Sequence, residues 1–182
     1  QPVWIVGHIP PGSLNCNPQW SERYRAIIDR FSNIIKAQFF GHTHNDQFQV
    51  VRSFEDDSPV GVIFVAPSLS TYAGLNPSFR IYEFDAETNQ PVNYYQYRLN
   101  LTKWNENTTG PIEWDLVYSF LEQYDLPDMS FESFDTLADQ IRSNETVARN
   151  YVSNFAAGGM PSLELSERDI DYLYCHAKFS TP

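Results

Sequence analysis

The chain has 182 residues, 42% of them apolar and 15% aromatic, which is ample for a core and excludes a disordered chain. Its net charge is −11, and residues 105–182 carry most of it, with fourteen Asp and Glu against four Lys and Arg. That balance excludes a nucleic-acid partner, whose phosphates need a basic surface, and no apolar run reaches the length of a membrane-spanning helix, about eighteen residues, or follows the pattern of a signal peptide.

Val3, Trp4, Ile5 and Val6 form a short run of β-branched and aromatic residues, the pattern of a buried strand, and Gly7 permits a sharp turn before His8. Trp20, Tyr24, Ile27, Ile28, Phe31, Ile34 and Ile35 recur at three- and four-residue steps and predict a helix over residues 20–35. A second strand at Ala37, Gln38, Phe39 and Phe40 ends in Gly41 and presents His42, Thr43 and His44. Strand, loop, helix and strand in that order imply a crossover in a largely parallel sheet. Residues 48–51 and 60–65 read as further strands around the acidic turn Glu55, Asp56 and Asp57, and residues 79–85 and 92–99 as an alternating pair.

Residues 104–111 are polar and end in Gly110 and Pro111, a candidate junction. Beyond it, helical spacing groups Trp114, Val117, Tyr118 and Leu121, then Phe134, Leu137, Ala138 and Ile141, then Val147, Tyr151 and Phe155, while Ser166 with Glu167 and Asp169 marks a helix start. The expected organisation is an α/β domain over residues 1–104 and a helical subdomain over residues 105–182. Phe120, Phe131, Phe134, Phe155 and Trp114 are assigned by this spacing to packing, with a lipid-facing surface as the alternative.

Three of the four histidines stand at strand ends, the edge of an open α/β sheet at which ligands bind. Neutral imidazole is the commonest protein ligand for zinc, so His8, His42 and His44 are candidate metal ligands, although each alone would read as a hydrogen-bonded loop residue. His176 matches no motif and reads as a helix-surface residue. Asn45 and Asp46 stand next to the histidines, where they would orient imidazoles, and Arg80 alternates with Phe79 and Ile81 as an ion-pair partner.

The strings Gly7-His8-Ile9-Pro10-Pro11-Gly12, Gln38-Phe39-Phe40-Gly41-His42-Thr43-His44, Ala66-Pro67-Ser68 and Thr71-Tyr72-Ala73-Gly74-Leu75-Asn76-Pro77 resemble the acid sphingomyelinase family of calcineurin-like metallophosphoesterases. The likeness continues through Phe79-Arg80-Ile81-Tyr82 and Leu99-Asn100-Leu101-Thr102, up to about Tyr124. The family's earlier motifs, Asp-x-His, Gly-Asp and Gly-Asn-His, do not occur. The resemblance therefore implies a C-terminal portion of a longer enzyme: half of a metallophosphoesterase β-sandwich flanked by helices, followed by the small helical subdomain.

The resemblance also implies two zinc ions, with His8 and His42 on one and His44 on the other, and with the bridging carboxylate, remaining ligands and general acid upstream. The implied reaction is hydrolysis of sphingomyelin to ceramide and phosphocholine; the alternatives are a nucleotide phosphodiesterase of the same family and a non-catalytic fragment that binds metal or a partner. Tyr72 is the candidate contact for a choline head group, since an aromatic face attracts a quaternary ammonium by about 0.5–2 kcal/mol, and Asn76 is a second candidate substrate contact. A phospholipid substrate implies transient membrane contact, and the upstream half of the domain is the implied protein partner. Sequons at Asn100, Asn107 and Asn144 fit a glycosylated protein that is secreted or lysosomal. In the family a cysteine near Cys16 is disulfide-bonded, with its partner upstream or at Cys175.

Overall fold

Parallel pairing of two short strands turns distant histidine motifs into neighbours. The computed structural model describes residues 1–106, 109–158 and 166–180. In it β1 (Val3–Val6) lies parallel to β2 (Ile35–Phe40), with Trp4 opposite Ala37 and Val6 opposite Phe39, and α1 (Pro18–Arg30) makes the crossover between them. β4 (Pro59–Val65) continues the parallel sheet beside β2, and β3 (Gln47–Arg52) closes its edge antiparallel to β4, giving the order β1-β2-β4-β3.

α1 starts where the sequence provides a cap: Asn17 Oδ1 accepts from Trp20 N at 3.2 Å, and Pro18 occupies the first turn, where no backbone donor is needed. It ends at Arg30, five residues short of the periodic pattern. Ile34 turns its carbonyl to Val3 N at 2.8 Å and Ile35 opens β2, so the apolar spacing runs on across a helix end into a strand.

A second, antiparallel sheet has the order β5 (Ser78–Phe84), β6 (Pro91–Arg98), β7 (Asp115–Ser119). The expected helix around Trp114, Val117, Tyr118 and Leu121 is corrected here. Its first part is β7, paired with β6 through Gln96 and Tyr118, and only Phe120–Tyr124 is helical, as α3. Val117 and Tyr118 are strand formers, and strand followed directly by helix imitates a three- and four-residue spacing. Three further helices follow, α4 (Phe131–Ser143), α5 (Glu145–Phe155) and α6 (Glu167–Lys178), after the short α2 (Leu101–Glu106), giving six helices among the described residues. Ser166 caps α6 with Asp169 in a reciprocal capping box, as its sequence indicates.

The division after residue 104 is not a break in packing. Phe48, Val50, Val62 and Phe64 of the first sheet share one core with Tyr94 and Tyr118 of the second and with Phe120, Phe134, Leu137 and Ile141 of α3 and α4. Edge-to-face rings join the sheets, with Phe64 to Tyr82 at 5.6 Å and Phe39 to Tyr82 at 4.9 Å. Phe120 and Phe134 are thus packing residues, with Phe131 and Phe155 against the same core, whereas Trp114 is part-exposed against Phe79. Among the described residues no helix is long and apolar enough to cross a membrane.

One buried carboxylate joins the sheets electrostatically. Asp46 accepts from the Arg80 guanidinium and from the Tyr118 hydroxyl, and the Asp46 and Arg80 side chains are 6% and 1% exposed. Burial disfavours the Arg80 charge, but the Asp46 carboxylate, helped by the Tyr82, Tyr94 and Tyr118 oxygens, more than offsets it and holds its pKa above the usual arginine value. Arg80 also donates to Gln96 Oε1 at 2.9 Å and stacks on Tyr94 at 4.0 Å. Removing one partner strands the other charge in the core. Arg80→Met is therefore expected to lower unfolding free energy by about 3–5 kcal/mol in urea titrations; a loss under about 1 kcal/mol would contradict this role.

Candidate functional site

The parallel ladder does not stop where β1 and β2 end. Gly7 N donates to Phe39 O at 2.9 Å, and Gly41 N donates to His8 O at 3.0 Å, so the two histidine-bearing ends are held by the same ladder. A Cβ at Gly7 would lie 2.5 Å from the Phe40 ring, which is why the residue before His8 has no side chain. His42 Nδ1 comes to 3.3 Å from His8 Nε2, with ring planes at 80°. That spacing suits a hydrogen bond between neutral rings, and it also equals the nitrogen-to-nitrogen edge of about 3.3–3.4 Å in tetrahedral zinc with bonds of about 2.0–2.1 Å.

His42 and His44 both have left-handed backbone, with φ of 70° and 63°. Such geometry costs a non-glycine residue on the order of 1–3 kcal/mol and persists only where the surroundings impose it. Thr43 provides part of that frame, donating to Gln47 Oε1 at 2.9 Å and accepting from Asn45 N at 3.3 Å. The alternation turns His44 away from the His8 and His42 pair and against Tyr72, with centroids 5.4 Å apart. Its Nδ1 is buried with no hydrogen-bond partner among the described residues, an acceptor or donor left unused. Among the described residues no three His, Cys, Asp or Glu side chains gather into one cage. The residues fit a share of a metal site: one pair, and one separate imidazole with a free nitrogen.

The neighbours expected to orient the imidazoles do other work. Asp46 is engaged by Arg80 and Tyr118, and Asn45 Nδ2 donates to Phe155 O at 3.2 Å, alongside Asp46 N to the same carbonyl at 3.1 Å. They anchor the turn to the end of α5, not the rings. Asn76 is spent in the same way, its Nδ2 donating to Ala157 O and its Oδ1 accepting from Leu101 N, each at 3.1 Å. It holds the 72–77 loop against the segment after α5 and the start of α2. Tyr72, by contrast, is 72% exposed beside His44.

A cleft of about 360 Å³ opens between the His8 loop, the His42 turn, the Tyr72 turn and α6. Ser13, His42, Asn45, Tyr72, Tyr172 and His176 are among its lining residues. The expectation that His176 lies on the helix surface outside the site is corrected: it stands in the cleft wall, with Nδ1 3.5 Å from Gln49 Nε2 of β3. The legible signal is Tyr172 and His176 at four-residue spacing, on a different side of α6 from the buried Leu173 and Ala177. A larger cavity of about 560 Å³ lies far from the histidines in the fold, between the β5–β6 turn and the start of α4. Its Asp85 and Asp128 are held below the usual carboxylate range by hydrogen bonds from Thr88 and Ser130 respectively, so they are committed to their own turns.

Cys16 and Cys175 are both free; Cys16 Sγ accepts from Ser21 Oγ at 3.3 Å and Cys175 is exposed on α6. Of the sequon residues, Asn144 is exposed and caps α5, and Asn100 Oδ1 accepts from Lys103 N at 3.1 Å; Asn107 lies outside the described residues.

Residues 58–158 match the family model described as the acid sphingomyelin phosphodiesterase C-terminal region. The chain is 40% identical over 157 residues to Sphingomyelin phosphodiesterase A of Dictyostelium discoideum, covering 85% of this chain and 27% of that protein. It is 38% identical over 165 residues to human Sphingomyelin phosphodiesterase, covering 88% of this chain and 26% of the relative. Human Acid sphingomyelinase-like phosphodiesterase 3b is 33% identical over 171 residues, covering 84% and 36% respectively. The chain thus spans about a quarter of the length of the sphingomyelin phosphodiesterases it matches.

Burial pushes the His176 pKa below its ordinary 6.5, with a backbone hydrogen bond opposing in part. At neutral pH the ring is mostly uncharged whether the chain is folded or not. As pH falls through about 6.5 the unfolded chain takes up this proton first, so folding loses stability until the lower folded pKa is passed. His176→Gln should therefore show a smaller fall in urea midpoint between about pH 7 and about pH 5 than the unaltered protein; an equal or larger fall would show that the ring is not protected.

Proposed function

We propose a function from one established fact, that this chain belongs to the acid sphingomyelinase family. It forms part of a zinc-dependent phosphodiesterase that hydrolyses sphingomyelin to ceramide and phosphocholine. The two sheets with their flanking helices are read as part of a metallophosphoesterase β-sandwich. The observation that carries the reading is the His8 and His42 pair, whose nitrogens stand 3.3 Å apart at the ends of adjacent parallel strands.

His8 and His42 would hold one ion between them, and His44, turned aside, would serve the second with a nitrogen not otherwise used. The bridging carboxylate, the other ligands and the general acid would come from the part of the longer relatives that this chain does not span. When bound, the two ions supply a water of lowered pKa and neutralise charge on the phosphoryl oxygens. The chain's own residues do the rest. The ladder through Gly7 and Gly41 holds the imidazoles in place before any ligand arrives, and the Asp46 anchor resists relaxation of the strained turn. Tyr72 offers its exposed face to a choline head beside His44. Leu14, 97% exposed, lines the cleft and suits transient contact with lipid. Sequons at Asn100 and Asn144, with the acidic surface, favour a secreted or lysosomal setting.

The full-length protein is expected to turn over sphingomyelin in preference to a nucleoside triphosphate, to lose activity to a chelator and to regain it with zinc. His42→Ala should cost at least about a hundredfold, since residues that merely orient ligands are worth about 10–100-fold. Preference for the nucleotide, or activity indifferent to chelation, would overturn the reading.

A further inference from the structure

Tyr172 stands 55% exposed on α6, yet α6 is not a loosely attached helix. Leu173 and Ala177 are buried in the shared core, and Lys178 Nζ pairs with Asp135 and Asp139 of α4, each at 2.8 Å. Arg52 of β3 reaches the same Asp135, so three elements are fastened around one carboxylate. An aromatic ring carried by this helix is held in position by packing its own side chain does not provide.

What Tyr172 faces is chemically specific. The cleft it lines with Tyr72 contains hydroxyls, amides and two imidazoles, and none of its described lining residues is Lys, Arg, Asp or Glu. The Tyr172 ring lies 5.5 Å from His176, whose burial pushes the imidazole pKa down and so disfavours a positive charge beside the ring. A quaternary ammonium has no N–H to donate and is recognised by aromatic faces, not by acceptors. Two exposed tyrosine rings lining a cleft without Lys or Arg are suited to that group.

We infer that Tyr172 forms, with Tyr72, an aromatic pair that receives the quaternary ammonium of the substrate head group, which makes α6 a specificity element of the site. This rests on the phosphodiesterase reading above and adds to it a residue a hundred positions away from Tyr72 in the sequence. The polar part of the cleft wall serves the rest of the head group. Ser13 Oγ, buried and without a hydrogen-bond partner among the described residues, is a donor for the polar atoms between the ammonium and the phosphoryl group.

The test uses the full-length protein and two soluble phosphodiesters, p-nitrophenyl phosphorylcholine, which carries the ammonium, and bis(p-nitrophenyl) phosphate, which does not. Tyr172→Leu keeps an apolar side chain and removes the π face; it is expected to raise KM for the choline ester by about 3- to 10-fold, and by at least about threefold more than for the other substrate. Tyr172→Phe keeps the face and should restore the unaltered ratio of the two KM values to within about twofold. The inhibition constant of tetramethylammonium should rise in Tyr172→Leu alongside the choline-ester KM, and can be compared at matched folded fraction if the variant is less stable. Equal losses on both substrates, or an unchanged tetramethylammonium constant, would overturn the inference while leaving the phosphodiesterase reading intact. An unaltered protein that cleaves neither ester would overturn both.

Discussion

The carboxylate of Asp46 is the constraint from which the site geometry follows. It sits two residues beyond His44, buried, accepting from Arg80 of β5 and Tyr118 of β7. Burial pushes the Tyr118 hydroxyl pKa well up, and the Asp46 charge adds to this, so the phenol keeps its proton and donates it. A buried ion pair is weak evidence for stability in itself, because desolvation of two charges consumes much of their attraction. Its value here is positional: the end of the histidine turn cannot drift without stranding a guanidinium in an aromatic core.

Positional restraint matters because the turn is strained. Two non-glycine residues in left-handed backbone would relax if the segment were loose. They are held from one side by the parallel ladder, where Gly7 fits under the Phe40 ring, and from the other by Asn45, Asp46 and the last carbonyl of α5. The outcome is an alternation in which His42 meets His8 and His44 meets Tyr72. The other walls of the cleft follow from the same scaffold: Asn76 pins the Tyr72 turn to the segment after α5, and the Lys178, Asp135 and Arg52 cluster pins α6 to the strand beside it. The cleft is bounded by elements from residue 13 to residue 176.

The strands that carry chemistry are legible in the sequence because each is a short apolar run closed by glycine, and because a helix between them admits only a crossover. The four histidines are less evenly legible. His8, His42 and His44 stand out by context, whereas His176 enters the cleft through helix docking, with only its four-residue spacing from Tyr172 to mark it in the sequence. Asp46 shows the reverse failure: a polar residue beside the histidines looks like a group that orients them, but its carboxylate is engaged by the distant Arg80 and Tyr118. Helical spacing misreads Trp114 to Tyr118 because one face of a strand followed by one turn of helix presents apolar residues at similar intervals, and only pairing with β6 decides between them. The polar stretch at residues 104–111 begins inside α2, and the strand that follows it returns to the same sheet as β5 and β6.

The central claim is that His8, His42 and His44 are metal ligands presented by a scaffold already set in their geometry. Anomalous diffraction at the zinc edge from crystals of the full-length protein tests it most directly. The account predicts one peak within bonding distance of both His8 Nε2 and His42 Nδ1 and a second beside His44. A zinc-loaded crystal with no peak at these three rings, and with His8 and His42 still hydrogen-bonded to each other, would contradict it.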